Sequence, residues 1–394
     1  MLKSITGMTA TLIAAFTIFF TPLQSNAANN GFTFGLLMVG PANDHGWSQA
    51  HFEAGKAIEK NIPGTKMIYI DKVNPADRPG VTVPFLVDDL VSKGAKLIIG
   101  NSDDMKDGIR EAAMLHPKIK FIHISGDDAK NPDSPANLSN LMGKMEYGQM
   151  MAGFAAAMSS KNGKIGYLGP LINDETKRLA ASCFLGARYA WTEVLKKDPA
   201  NLTFKVSWIG FWFNIPGVTS DPTQVAKNFF DSGIDVVISG IDTTEALIVA
   251  NQKRKEGADV VAIPYDFLGA CDTAPDACLG VPYFNWVPGY THYIKAAIEN
   301  KWQKEWLWLG PKWDDMNNEM SSSIGFKNGQ ALSADAAKAL EAFVTGLGDD
   351  SISLFSGPLN YQDKSVFLKK GEKATDAQIW NLPQLLEGMK GASK

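Results

Sequence analysis

Short apolar runs alternate with amphipathic stretches along most of the chain, and Gly, Asn, Asp and Pro punctuate the joins. Phe32–Val39, Lys66–Ile70, Lys96–Ile99 and Lys120–Ile124 read as strands, and Val81–Lys93 and Lys106–Leu115 as helices. Between the first two strands a helix opens in the stretch 44–55. Residues 127–140, rich in Asp, Asn, Pro and Ser, have no apolar period and read as a surface loop. The alternation then resumes. Strands are predicted at Lys164–Leu168, Phe204–Gly210, Asp235–Ser239 and Val260–Pro264, with helices at Tyr147–Met158, Glu175–Lys196, Thr223–Ser232 and Glu245–Glu256. Ile- and Val-rich runs between helices of about a dozen residues predict parallel sheets covered on both faces. Two such blocks predict an α/β protein of two doubly wound lobes.

The last third carries a strand (Leu279–Tyr283), a helix (Tyr290–Asn300), a Trp-rich irregular stretch (Trp302–Trp313) and a helix (Leu332–Leu347). It is too small for a third lobe and is expected to complete the other two. The predicted division is residues 28–142 with 270–324 for the first lobe, and 143–269 with 325–394 for the second. Several strands would then form the hinge, and a ligand would sit in the cleft between the lobes.

At the N-terminus Lys3, the apolar stretch Met8–Phe20 and the small residues Ser25 and Ala27 have the layout of a secretory signal peptide cut after Ala27. The apolar core is shorter than the roughly 20 residues that a membrane span needs. Cleavage removes one cation and takes the formal charge from −4 to −5. That mild acidity argues against a nucleic-acid partner, which would call for a basic face. Export to an oxidising compartment makes Cys271 and Cys278 candidates for a local disulfide, and Cys183, within a helical pattern, is expected to be buried. No Cys or His pair has metal-ligand spacing, and no cofactor is expected.

The predicted strands end in polar and aromatic clusters: Asn43-Asp44-His45-Gly46-Trp47, Gly100-Asn101-Ser102-Asp103-Asp104, Phe211-Trp212-Phe213-Asn214, Gly240-Ile241-Asp242-Thr243-Thr244 and Tyr265-Asp266. In open parallel sheets, ligands bind outside the carboxyl ends of the strands. Aromatic planes and carboxylates there suit a flat polar ring, with the rings stacking on it and the carboxylates accepting its N–H or O–H groups. An Asp at a helix start is ordinarily a cap, as Asp44, Asp103 and Asp242 could each be, though a cap leaves one oxygen free. Trp47 alone would more often be core. Repetition at every strand end favours the ligand reading. Neither a nucleophile elbow nor a dinucleotide fingerprint nor a Walker loop is present.

Val39-Gly40-Pro41, Asp44, Gly46-Trp47 and Ala50-His51 resemble the opening motif of the basic membrane protein family of ABC-transporter substrate-binding proteins, which includes purine nucleoside receptors. The resemblance continues through Gly163-Lys164-Ile165-Gly166-Tyr167, Phe184-Leu185-Gly186-Ala187-Arg188, Trp212-Phe213-Asn214, Asp235-Val236-Val237, Ile263-Pro264-Tyr265-Asp266 and Phe355-Ser356-Gly357-Pro358-Leu359. It implies a type I periplasmic binding protein, monomeric and without turnover, that delivers a purine nucleoside or nucleobase to a membrane permease. Trp47 and Trp212 would sandwich the ring, Asn43 and Asp242 would read its edge, and Asp44, Asp103 and Asp266 would take exocyclic or ribose donors. Ser102, Phe213, Gly240 and Trp286 complete the ligand-binding set. Where the family tends to have Ser, Phe and Gly, this chain has Ser102-Asp103-Asp104, which suggests a ligand richer in donors or positive charge. Alternatives are a flavin or sugar-like solute, a ligand sensor for a membrane receptor and, from another class, a secreted nucleoside hydrolase.

Overall fold

A computed structural model describes Met1 and residues 31–394. The expected signal peptide and its cleavage point lie outside the described residues.

The first sheet begins with β1 (Phe32–Leu37), followed by α1 (Trp47–Asn61), β2 (Thr65–Ile70), α2 (Val83–Ser92), β3 (Ala95–Gly100), α3 (Lys106–Leu115), β4 (Lys120–Ile124) and β5 (Leu138–Gly143). β5 occupies the end of the stretch read as a surface loop. Its polar residues, which break the apolar period, are satisfied by distant groups. The Asn140 carboxamide accepts from Ala129 N at 2.8 Å and donates to His123 O at 3.2 Å, and Ser139 Oγ donates to Gln303 O at 3.2 Å. Such partners cannot be read from local periodicity.

The chain then enters the second lobe through α4 (Met145–Ser159), β6 (Lys164–Gly169), α5 (Asp174–Tyr189), β7 (Thr203–Trp208), α6 (Pro222–Asp231), β8 (Val236–Ser239), α7 (Glu245–Lys255) and β9 (Val261–Ile263). α5 continues into a π-helical turn over Ala190–Val194. α4 and α5 are buried nearly all round and cross closely. A Cβ at Gly153 would lie 1.8 Å from the Cys183 carbonyl oxygen, and one at Gly186 would lie 1.9 Å from that of Met150. Only glycine permits that approach.

The remainder comprises β10 (Gly280–Phe284), α8 (Val287–Ile298), β11 (Trp306–Leu309), β12 (Ile324–Asn328), α9 (Ala334–Gly348), β13 (Leu359–Asn360), β14 (Val366–Leu368), α10 (Asp376–Trp380) and β15 (Met389–Lys390). The Trp-rich stretch expected to be irregular supplies β11, which pairs with β5 as an outer strand. The first sheet runs β11-β5-β4-β3-β1-β2, all parallel, and the second β15-β7-β6-β8-β9, also all parallel. β10 and β12 pair antiparallel between the lobes. With the β5–α4 connection, they carry the chain across three times.

The return to the first lobe comes later than residue 270. Ala270, Cys271, Ala274, Ala277 and Cys278 pack into the core around Phe229, Leu247 and Ala250 of the second lobe, because this disulfide-closed loop is lined with apolar residues. The first-lobe core resumes at Phe284. The tail also bridges both lobes: β15 extends the second sheet, whereas Trp380 joins Trp308 in the first-lobe core. Cys183 is fully buried. Among the described residues no helix is long and apolar enough to cross a membrane.

Candidate functional site

The carboxyl ends of both sheets face one narrow cavity between the lobes. Trp47, Ser102, Asp103 and Ser125 line it from the first lobe, following β1, β3 and β4, and Glu175, Trp212, Asp242 and Tyr265 line it from the second, following β6 to β9. Its free volume is about 320 Å³ including the mouth. The lobes are closed on it, and the cavity is a narrow slot between them.

The start of α1 is built to hold one wall rigid. Gly46 takes the cap position, and Asp44 two residues earlier accepts three backbone N–H bonds of 2.9 Å, from Gly46 and Gln49 at Oδ1 and from Ser48 at Oδ2. These satisfy donors that a helix start leaves without intrahelical partners. Ser48 Oγ accepts Gly40 N at 2.9 Å, which closes the turn after β1. Trp47 Nε1 donates to Asn101 O at 2.6 Å, while the Asn101 side chain accepts Val39 N at 2.9 Å, so α1 and the end of β3 are locked together. Trp47 meets Phe284 edge-on at 5.3 Å and Trp286 at 5.2 Å.

The lobes touch at this same turn. A Cβ at Gly46 would lie 1.7 Å from the Asp242 carbonyl oxygen of the other lobe. Asp242 N in turn donates to Trp212 O at 2.9 Å, which ties the Trp212 loop to the end of β8.

Carboxylates dominate the electrostatics. Asp242 is 5% exposed and Asp266 fully buried. Burial pushes both carboxyls well above their ordinary range. Asp242 is raised further by Asp44, Glu175 and Glu245, and Asp266 by Asp242, Asp44 and Glu175. Glu175, in the first turn of α5, is raised to about 7, chiefly by burial, with Asp103 and Glu146 adding to it and Arg178 opposing it. Burial also raises Asp44 against the pull of its backbone N–H bonds. Neither Asp266 oxygen has a hydrogen-bond partner among the described residues, although the neighbouring Tyr265 hydroxyl holds its pKa down somewhat. Ser125 and Asp266 adopt φ of 74° and 73°, the left-handed region that non-glycine residues seldom occupy and that clusters at functional sites. No group of three or more His, Cys, Asp or Glu among the described residues could hold a metal ion.

Comparison with known proteins identifies the family. Residues 32–314 match the family described as Bmp, ABC transporter substrate-binding protein PnrA-like. The chain belongs to the Bmp family. A purine-binding protein of Brucella abortus (strain 2308) is 27% identical over 355 residues, covering 90% of this chain and 92% of that protein. A putative ABC transporter glucose-binding protein of Haloferax volcanii is 24% identical, covering 73% of this chain and 68% of its own length. An ABC transporter solute-binding protein of Aeropyrum pernix K1 superposes with a TM-score of 0.66 over 90% of this chain and 100% of that one, at 13% identity, and so shares the fold. The family is one of substrate-binding proteins of ABC transporters rather than of enzymes.

In this Bmp-family protein the residues singled out from the sequence divide into wall and support. Trp47, Ser102, Asp103, Trp212 and Asp242 line the slot, and Asp103 stands exposed at its rim. Asn43 is exposed on the turn and lines no part of the slot. Asp44 spends both oxygens on the α1 cap. Phe213 packs toward the first-lobe core. Gly240 lies against Tyr167, whose hydroxyl would be 2.3 Å from a Cβ there. Asp266 lies behind the wall, held between β10 backbone groups at 3.0–3.2 Å. Trp286 is core, stacked between Phe284 at 4.7 Å and His51 at 4.3 Å.

Glu175 and Ser125 are lining residues that the sequence reading does not select, whereas Tyr265 belongs to one of its strand-end clusters without being placed in the ligand-binding set. Each of the first two directly follows, or lies within a few residues of, a strand's carboxyl end, so the strand-end rule could have found them had it been extended to β4 and to the first turn of α5.

Proposed function

We propose that this Bmp-family protein binds a purine nucleoside or nucleobase in the interlobe slot and delivers it to a membrane ABC permease from the periplasm, acting as a monomer. The observation that carries the reading is the slot itself: Trp47 and Trp212, from opposite lobes, line one narrow space together with Asp242 and Glu175. Two indoles from opposite lobes supply faces between which a flat ring can stack once the lobes have parted to admit it. The Asp242 and Glu175 oxygens accept the ring's N–H groups, which favour the charged carboxylates that burial alone disfavours, each bond to a charged carboxylate contributing about 1.5–3 kcal/mol. The purine-binding relative from Brucella abortus supports the same class of ligand.

The test is a melting-temperature screen of ligand-free protein against adenosine, adenine, riboflavin and glucose, followed by calorimetry, since a ligand that binds the native state raises the melting temperature by mass action. Adenosine or adenine should stabilise the protein, and Trp212→Ala should weaken that binding by about tenfold or more, the worth of one aromatic contact. Stabilisation by glucose or riboflavin alone would replace the purine reading. Release of free adenine from adenosine would replace transport with hydrolysis.

A further inference from the structure

The tail passes from one lobe's core to the other's within two residues. Trp380, at the end of α10 and 6% exposed, belongs to the first-lobe core, whereas Leu382, fully buried, belongs to the second-lobe core with Leu385, Leu386 and Met389. On the first-lobe side the Trp380 ring meets Trp306 edge-on at 4.9 Å and Trp308 at 5.1 Å, and Lys130 Nζ lies 5.0 Å over it. On the second-lobe side Arg178 of α5 lies 4.2 Å over the same ring and donates to Trp380 O at 3.3 Å, while Lys177 Nζ donates to Pro383 O at 2.8 Å. A cation from each lobe therefore approaches one indole. This crossing stands beside the mouth of the slot: Asp103, Ser125 and Glu175, which line the slot, also line a groove together with Arg178, Trp380 and Asn381.

Two residues fully extended reach about 7 Å, so the step from Trp380 to Leu382 has little slack. Parting the lobes at the slot mouth must pull the indole away from Trp306 and Trp308 or draw Leu382 out of the second-lobe core. The first costs less, because Leu382 is backed by three further buried side chains and by the pairing of β15 with β7. Among the described residues, Trp380 is the one buried tail residue in the first-lobe core. The ion pair of Asp376 with Lys144 at 2.8 Å is exposed and adds little. We propose that Trp380 is a latch: it holds the closed lobes together beside the slot mouth, and its withdrawal from the first lobe is a step in solute release. Trp380 does not line the slot, so it is a positioning residue that acts through the lobes and sets how long a solute is retained. The proposal goes beyond the choice of ligand and applies to any solute that the slot encloses.

The test compares the parent with Trp380→Ala, Trp380→Phe and Trp306→Ala, the last of which removes a first-lobe partner and leaves the tail's own sequence intact. A melting scan shows which variants are folded. With adenosine as the probe, release of bound radiolabelled adenosine into excess unlabelled adenosine should be about tenfold faster in Trp380→Ala and about threefold faster in Trp306→Ala, the scale of two aromatic pairs and of one. Association should be no slower, and Trp380→Phe, which keeps an aromatic ring, should recover most of the parent's release rate. Release within about 1.5-fold of the parent in the folded alanine variants overturns the proposal, as does slower association that accounts for the whole loss of affinity. If the parent does not bind adenosine, the purine reading falls and small-angle scattering of the ligand-free proteins decides the latch by itself. A folded Trp306→Ala more extended than the parent then upholds it, and equal scattering overturns it.

Discussion

Gly46 offers the sharpest test of how the lobes meet. An Ala side chain there would place its carbon 1.7 Å from the Asp242 carbonyl oxygen. Van der Waals contact needs roughly 3.5 Å, so the turn after β1 and the end of β8 must separate by roughly 2 Å. The strain cannot be absorbed by a flexible side chain, since both partners are backbone. At φ −149° and ψ −131° Gly46 lies outside the regions open to residues with a side chain, so Gly46→Ala also strains the turn itself. Between the lobes the methyl group acts as a wedge against closure. Holding the lobes apart removes the ligand's bonds to Asp242 and Glu175, each about 1.5–3 kcal/mol, and so about 3–6 kcal/mol in all. That corresponds to a loss of roughly 10²- to 10⁴-fold in affinity for adenosine, measured by calorimetry. Small-angle scattering supplies a readout that needs no ligand: the variant should be more extended than the parent while still melting as a folded protein. Equal scattering and an affinity within about threefold of the parent would refute the contact as the stop on closure.

Two further predictions concern charge and the tail. The folded pKa of Glu175, about 7, lies above its ordinary 4.5, so its contribution to stability is full below pH 4.5 and is lost as pH rises through 7. The difference is worth about 3 kcal/mol, so ligand-free protein should lose several degrees of melting temperature between about pH 5 and 7.5, and Glu175→Gln should lose less; identical pH profiles would rule out this burial effect. Trp380, edge-on to Trp306 at 4.9 Å and Trp308 at 5.1 Å and covered by Arg178, pins the tail to the first lobe. Trp380→Ala should cost about 3–5 kcal/mol in denaturant unfolding and speed hydrogen exchange over residues 376–394, whereas a cost under about 1 kcal/mol would show that the tail is held elsewhere.

The elements with a strong local period are those the sequence locates to within a few residues. β1 to β4, β6 to β9 and their helices are apolar runs of the expected length, so burial and sequence pattern coincide. β5 and β11 are missed for opposite reasons. β5 carries Ser139 and Asn140 into a buried strand because distant backbone groups satisfy them, and β11 is four residues of a Trp-rich stretch that becomes regular only by pairing with β5. β15 is shorter still and exists only as an added strand beside β7.

The site divides along the same line. Its location was legible from the sequence alone, because the turn after each parallel strand is set by local chemistry and such turns gather at one edge of the sheet. The alternation of strands and helices, the two-lobed plan and the wealth of aromatics and carboxylates at the strand ends are likewise properties of short segments. Which of those residues face the slot was decided only by the tertiary structure. Asp44 turns its carboxylate to its own helix, Trp286 is stacked into the core, and Glu175 reaches the slot from the first turn of α5. The contact of Gly46 with Asp242 joins residues nearly two hundred positions apart. The physical reason is that backbone propensity and apolar period act over a few residues, whereas burial, charge pairing and lobe contact depend on groups that only folding brings together.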